Sequence, residues 1–220
     1  MKTILKMAMA AGATSALAFA ATTANAATVY ASDVDWANNG TVGTSNDRDD
    51  ATNALGAPDG AFLSLGLSDV GYTNPGFAVF SFDGMTFGAG STTTAYEVTF
   101  NCSVRPSGAC SYPESLAVLY GTDYAFGTHD AADLADFTYA GQLFNADAQS
   151  GASLIIPGTF TYIALVDTTL MNFPNSQSTD GFDVDAVGVS PVPVPAALPL
   201  MAGGLALGGM ARRRAKKAKA

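Results

Sequence analysis

Short apolar runs of period two, each stopped by Gly, Asp, Asn or Pro, recur from Ala27 to Ser190. That spacing favours strands over helices throughout this stretch. FTYIALVDTT (residues 160–169) sets Phe160, Tyr162, Ala164 and Val166 on one face and Ile163 and Leu165 on the other. It reads as a strand buried on both sides. GFDVDAVGVS (181–190) alternates Phe182, Val184 and Ala186 against Asp183, Asp185 and Val187. TAYEVTFNCSV (94–104) puts Tyr96, Val98 and Phe100 on one face. ATVYAS (27–32), GFAVFSFDG (76–84), SLAVLYGTD (115–123), FTYAGQLF (137–144) and ASLIIPG (152–158) are the other predicted strands. DAADLAD (130–136) reads as one short helix or as a loop, and Asn38–Asn53 as a long polar loop. Pro58-Asp59-Gly60 is a turn signal, since each residue type suits a turn position. Strands at roughly 10–20-residue spacing over about 170 residues predict an all-β, two-sheet sandwich.

Both ends stand apart from this pattern. The start carries Lys2 and Lys6, then an Ala/Leu/Met-rich run, then Ala24-Asn25-Ala26. This is the order of a secretory signal peptide, with cleavage expected between Ala26 and Ala27. The last thirty residues begin with alternating prolines, continue with an uncharged run from Ala196 to Ala211, and end on Arg212, Arg213, Arg214, Lys216, Lys217 and Lys219. The run is sixteen residues long, or twenty-one counted from Pro191, against the ~20 that a spanning helix needs. The cations after it stay on the cytoplasmic side by the positive-inside rule. The expected organisation is a signal peptide (1–26), a β-sandwich domain (27–190) and a C-terminal segment (191–220) of proline linker, transmembrane helix and basic tail.

The charge divides at the same places. All nineteen acids lie between Asp33 and Asp185, where Arg48 and Arg105 are the only Lys or Arg residues. Two cations against nineteen acids leave the expected mature body at −17. Phosphate binding needs clustered Lys and Arg, so nucleic acid is excluded as a partner. The acidity fits either plain solubility outside the cell or binding of divalent cations. Cys102 and Cys110, a C-x7-C pair in an exported chain, are read as a disulfide. It would close a short loop and contribute about 2–3 kcal/mol. His129 has no Ser or Cys context, and neither G-x-S-x-G nor H-E-x-x-H occurs. No catalytic residue is assigned, and the chain is read as a non-enzyme.

Two resemblances become specific on these residues. Val192-Pro193-Val194-Pro195-Ala196, the Gly/Leu run and the Arg block resemble the C-terminal sorting signal of the PEP-CTERM class, in its VPLPA variant. Val194 stands where that variant has Leu. The resemblance implies recognition by an exosortase, a membrane-embedded cysteine protease/transpeptidase. It also implies cutting near the Pro195–Ala196 step, and delivery to the cell surface or exopolysaccharide matrix of a Gram-negative bacterium. The membrane then holds the chain only during sorting; a permanent C-terminal anchor is the alternative. The body is similar to galactose-binding-like jelly-roll domains, through NALGAPDG (53–60), ESLAVLYGTD (114–123), YIALVDTT (162–169) and DGFDVDAVGV (180–189). That likeness implies ligand binding on loops at one end and, in many members, a structural calcium.

Calcium needs six to eight oxygen ligands. Asp47 and Asp49 lie in one loop shortly before Asp59, and Asp180, Asp183 and Asp185 lie at the last strand. A jelly roll brings its first and last strands together, so these are the candidate ligands; the alternative is that they are solvated or turn-forming aspartates. Trp36 is the candidate sugar-stacking residue, with Tyr30, Tyr72, Tyr112 and Tyr124 behind it, although sandwiches also use aromatics as core anchors. The expected function is an exported adhesion, glycan-binding or structural module. The alternative is a secreted polysaccharide hydrolase using a carboxylate pair.

Overall fold

A strand buried on both faces must sit at the centre of its sheet, and Tyr162–Asp167 (β9) does. The computed structural model describes residues 26–68, 75–98, 112–127, 131–145 and 151–192. Ala24, Cys102, Cys110, His129 and the tail from Pro193 onward lie outside them. Among the described residues all strand pairs are antiparallel and form two sheets. The first contains Val29–Tyr30 (β1), Leu63–Ser64 (β3), Thr92–Glu97 (β5), Ala152–Ile155 (β8) and Asp183–Ser190 (β10), in the order β1-β10-β5-β8 with β3 also on β10. The second contains Asp33–Ala37 (β2), Phe77–Ser81 (β4), Ser115–Gly121 (β6), Thr138–Phe144 (β7) and β9, in the order β2-β4-β9-β6-β7. The predicted two-sheet sandwich is present.

The main core lies between the sheets. Ile163 and Leu165 of β9 meet Phe80, Phe82, Leu116, Val118, Phe182 and Val184 there. Ala164 and Val166, on the other face of β9, join Phe77 and Val79 in a second, smaller core. That core is closed by Tyr124, Leu134 and Phe137, from the connection between β6 and β7. The Tyr124 hydroxyl and the Gly127 N–H both donate to Asp35 Oδ2, at 2.9 and 2.7 Å, which pins this connection across β2. The segment expected as a short helix or loop is a 3-10 helix, Ala131–Asp136.

The structure sets the inward face of β5 and corrects the reading of β10. Buried Thr93, Ala95 and Glu97 alternate along β5, while Tyr96 turns to the other side and meets Tyr30 at 6.0 Å between ring centroids. The small Ala95 fits opposite Val187 in the crowded centre of the sheet. On β10 the period-two reading holds up to Val184 and then breaks. Val184 pairs with Glu97 and Ala186 with Tyr96, so Asp185 is an extra, bulged residue. A bulge shifts side-chain parity by one. Val187 and Val189 therefore enter the core beside Phe182 and Val184. β2 and β3, which were not among the predicted strands, are short pieces beside the polar loop. Within that loop, Ser45–Asp47 and Ala51–Ala54 form 3-10 turns, and Ala54 reaches the main core.

Leu165 is fully buried at the centre of the second sheet. Leu165→Ala is expected to cost about 2–5 kcal/mol. Urea denaturation should show a lower midpoint at an unchanged slope.

Candidate functional site

The loops at one end of the sandwich converge because β10 begins where β5 ends and β6 starts. Asp183 opens β10, Glu97 closes β5, and Glu114 immediately precedes β6. A pocket of about 520 Å³ opens here, lined by Asn46, Arg48, Phe62, Val98, Tyr112, Glu114, Thr179, Asp180 and Asp183. That volume is in the range of small-molecule sites.

Each wall has a local cause. Asn46 and Asp47 adopt left-handed backbone, with φ of 65° and 52°, which Asn and Asp tolerate better than most residues. The chain then folds back, and the Ser64 N–H bonds the Arg48 carbonyl at 2.9 Å. Arg48 gives Nε to the Ser45 carbonyl and Nη1 to Asp180 Oδ2. Its guanidinium lies 5.3 Å above the centre of the Phe62 ring, within cation–π range. Asp180 is followed by Gly181, whose φ of +79° suits glycine. A Cβ there would lie 2.8 Å from Asp167 Oδ1. Asp167 in turn accepts from Thr169 Oγ1 and from the Ser68 N–H, fixing the loop ends behind the pocket.

The opposite wall is a set of buried carboxyls. Asp183 Oδ1 accepts from Ser64 Oγ. Asn145 Nδ2 donates to both Glu97 Oε1, at 2.7 Å, and Glu114 Oε2, at 3.3 Å. Burial, which disfavours the charged form, raises Asp183 to about 7. Asp180 and Glu97 add to this, against the opposing pulls of Ser64 and Arg48. Burial also raises Glu114 well above the usual carboxylate range, reinforced by Asp183, Glu97 and Asp180 and opposed by a hydrogen bond from Ser178. Asp167 is raised by burial too, against hydrogen bonds from Thr169, Ser68 and Phe182. Asp183 therefore titrates near neutral pH, and Glu114 and Asp167 are shifted in the same direction.

The residues singled out in the sequence separate here. Asp180 and Asp183 line the pocket, as does Tyr112. Asp185 does not; its carboxylate accepts from the N–H groups of Asp59 and Gly60, at 3.0 and 3.2 Å, and so caps the Pro58-Asp59-Gly60 turn. The first and last strands do converge, by direct pairing of Val29 with Val189 and Tyr30 with Gly188. Asp47 and Asp49 are exposed, and the Asp47 carbonyl accepts from Asn53 Nδ2. Among the described residues no group of three or more His, Cys, Asp or Glu is placed to hold a metal. Trp36 packs against the main core and donates its indole N–H to the Leu65 carbonyl at 3.0 Å, so the aromatic walls of the pocket are Phe62 and Tyr112 instead. Arg48, Phe62, Glu97 and Glu114 were not among the candidates. The position of Arg48, one of two cations in the acidic body, was the signal that could have found the pocket.

A second depression, of about 380 Å³, lies over the outer face of the second sheet and includes Ala117, Leu119, Leu134, Tyr139, Val166 and Met171. Its lining has no charged group, and its polar members Gln142 and Thr168 bond each other at 3.0 Å.

No protein-family model and no curated protein matches the sequence. Among solved structures, the chain is similar to an F5/8 type C domain from Bacteroides fragilis, at 7% identity, 74% of this chain, 92% of that one and a TM-score of 0.44. It is similar to the family 32 carbohydrate-binding module of NanJ from C. perfringens, solved with galactose, at 10% identity, 74% and 98% coverage and a TM-score of 0.42. A third is the C-terminal domain of a chitobiase from Bacteroides fragilis, at 12% identity, 76% and 99% coverage and a TM-score of 0.40. Likenesses at this level carry no residue or ligand over to this chain.

The raised carboxyls set the pH dependence of stability. Folded Asp183 keeps its proton up to about pH 7, whereas in the unfolded chain it loses it near pH 4. The folded state binds more protons across that window, so stability falls as pH rises through it. Glu114 and Asp167 act with the same sign. The melting temperature should drop by several degrees between pH 4.5 and 7.5, measured by circular dichroism at constant ionic strength. Asp183→Asn should flatten the slope.

Proposed function

We propose that the body is a glycan-binding module of the galactose-binding-like jelly-roll type, exported and displayed at the cell surface or in the extracellular matrix. The pocket walled by Arg48, Phe62, Tyr112, Glu114, Asp180 and Asp183 carries this reading. A sugar ring has an apolar face, which stacks on aromatic rings, and a hydroxyl rim, which needs donors and acceptors together. Phe62 and Tyr112 offer the first, and the Arg48–Asp180 pair with Asp183 and Glu114 offers the second. The other depression has no charged group, and its polar members Gln142 and Thr168 are bonded to each other, so it lacks that combination.

The placement of the chain ends supports display. Thr28 Oγ1 and Ser190 Oγ lie 3.0 Å apart, and β1 pairs antiparallel with the end of β10. Both ends of the described body therefore leave the sandwich together. The pocket lies at the other end of β10, roughly 24 Å away for eight residues of strand. In this proposal the signal peptide is cut between Ala26 and Ala27. An exosortase then acts at Val192-Pro193-Val194-Pro195-Ala196 while the following segment spans the inner membrane. Mass spectrometry of the surface form is expected to give termini near Ala27 and Pro195. An intact Lys219 in that form removes the sorting step.

One observation favours the hydrolase alternative. Asp183, which holds a proton near neutral pH, shares the pocket with Asp180, an ion-paired carboxylate. Acid–base hydrolysis of a glycoside uses such a pair. Binding is preferred because Arg48 occupies Asp180 Oδ2 and Ser64 occupies Asp183 Oδ1, so both carboxyls are already engaged by the protein. Glycan-array binding with reducing-end release as the second readout separates the two. Binding without release is expected, with Phe62→Ala and Tyr112→Ala each weakening it about tenfold or more, by the ~1–3 kcal/mol that a stacked ring contributes. Binding to no glycan overturns the proposal. Running the array in calcium and in chelator tests a structural ion at Asp47, Asp49, Asp59, Asp180, Asp183 and Asp185; binding and melting unchanged by chelator remove it.

A further inference from the structure

We propose that the outer face of the first sheet is a second glycan surface, which takes an extended chain of neutral sugars. It is separate from the loop pocket and follows from the sheet register. β1, β10, β5 and β8 lie side by side. Their pairing sets Thr28 beside Ser190, Ser190 opposite Thr92, and Thr92 opposite Ile155. Two positions further along the strands, Tyr30 faces Gly188, Gly188 faces Thr94, and Thr94 faces Ser153. A third, shorter row sets Ala186 opposite Tyr96. The alternate residues Val29, Ala95, Leu154, Val187 and Val189 belong to the main core or pack against it, so the three rows face outward. The outer face of the second sheet is closed by Tyr124, Leu134 and Phe137, whereas no hydrophobic cluster among the described residues covers these rows. Strands about 4.8 Å apart make the four-strand rows about 14 Å wide.

The rows match both sides of a sugar. Gly188 places no side chain between Tyr30 and Tyr96; a Cβ there would lie 3.3 Å from each ring and 2.8 Å from Thr28 Cγ2. The missing atom leaves a trough flanked by the two rings, whose centroids are 6.0 Å apart and whose planes meet at 49°. Each ring offers an apolar body with a polar tip. Beside the trough, Thr94 Oγ1 and Ser153 Oγ lie 2.7 Å apart, and Thr28 Oγ1 and Ser190 Oγ 3.0 Å apart. Two hydroxyls that share one hydrogen bond keep one donor and three acceptor lone pairs between them, which sugar hydroxyls can use. Every residue in the rows is uncharged. Asp185, next to Ala186, is held by the N–H groups of Asp59 and Gly60, and Asp59 Oδ1 accepts from the Ala61 N–H. A polyanion is repelled by the acidic body, and a polycation is drawn to the acidic loops rather than to this face. The occupant that complements it is a neutral polyhydroxyl chain.

Sedimentation of the purified protein with cellulose and with chitin particles tests this, with soluble polygalacturonate as the charged comparison. Binding to at least one neutral particle is expected, at equal strength in low and high salt, because no ion pair forms. Tyr96→Ala and Tyr30→Ala should each weaken it about tenfold, the effect of losing one stacked ring. Gly188→Ala, which fills the trough, should weaken it too. Phe62→Ala, which alters the loop pocket, should leave it unchanged. If a variant fails to fold by circular dichroism, Thr94→Ala with Ser153→Ala, which removes an exposed hydroxyl pair, decides by the same loss. Binding to neither particle overturns this surface and leaves the pocket to the glycan array. Binding lost in Phe62→Ala but kept in Tyr96→Ala belongs to the pocket and also overturns it. So does a preference for polygalacturonate. A dimer on size exclusion that Tyr96→Ala returns to a monomer makes a second copy the occupant and overturns the polysaccharide.

Discussion

The extra residue at Asp185 is the constraint on which both the core and the pocket depend. A strand of strict period two could send Val184 or Val187 inward, but not both. With Asp185 bulged, Phe182, Val184, Val187 and Val189 all enter the main core. β10 then pairs with β1, β3 and β5, so its position organises the whole first sheet. The displaced carboxylate caps the Pro58-Asp59-Gly60 turn, which brings the preceding polar loop beside the start of β10. The same loop carries Arg48 to Asp180 and across the Phe62 ring. Core packing and pocket assembly are thus consequences of one irregularity.

The pocket end is built against electrostatic preference. Burying carboxyls costs free energy unless they are protonated or given donors. The chain uses both remedies. Ser64, Asn145, Thr169 and backbone N–H groups supply donors, and the raised titration of Asp183, Glu114 and Asp167 supplies protons. A core of Val and Leu at these positions would be easier to bury. Keeping carboxyls there, beside an open pocket with aromatic walls, is what makes this end of the sandwich the place to look for a ligand.

Much of the fold was legible in advance because the strands signal locally. Alternation around Phe77, Leu116, Ile163 and Phe182 is written in consecutive residues, and each run begins and ends within a few positions of its element. β2 and β3 were missed because DVDWA is half acidic and Leu63–Ser64 is too short to show a period. Along β5 the period-two grouping does not by itself say which face is inward; the sheet pairing decides that it is the face of Ala95 and not that of Tyr96. The site was legible only in part. Asp180, Asp183 and Tyr112 could be picked by residue type, but Trp36 is equally polar-tipped and aromatic and turned out to face the core. Glu97, Glu114 and Arg48 are distant in sequence and are joined only by the closing of the two sheets.

By itself, the sequence determined the class of architecture, the division of charge between body and ends, and the positions of most strands. These follow from hydrophobic period and composition, which act over a few residues at a time. The tertiary structure alone decided the parity switch at Asp185, the second core over the outer sheet face, and the meeting of Arg48, Phe62, Glu114 and Asp183 in one pocket. Those depend on pairings between residues many tens of positions apart, such as Ser64 with Asp183 and Arg48 with Asp180. No local pattern encodes such a pairing, because its partners are selected by the packing of the whole sandwich.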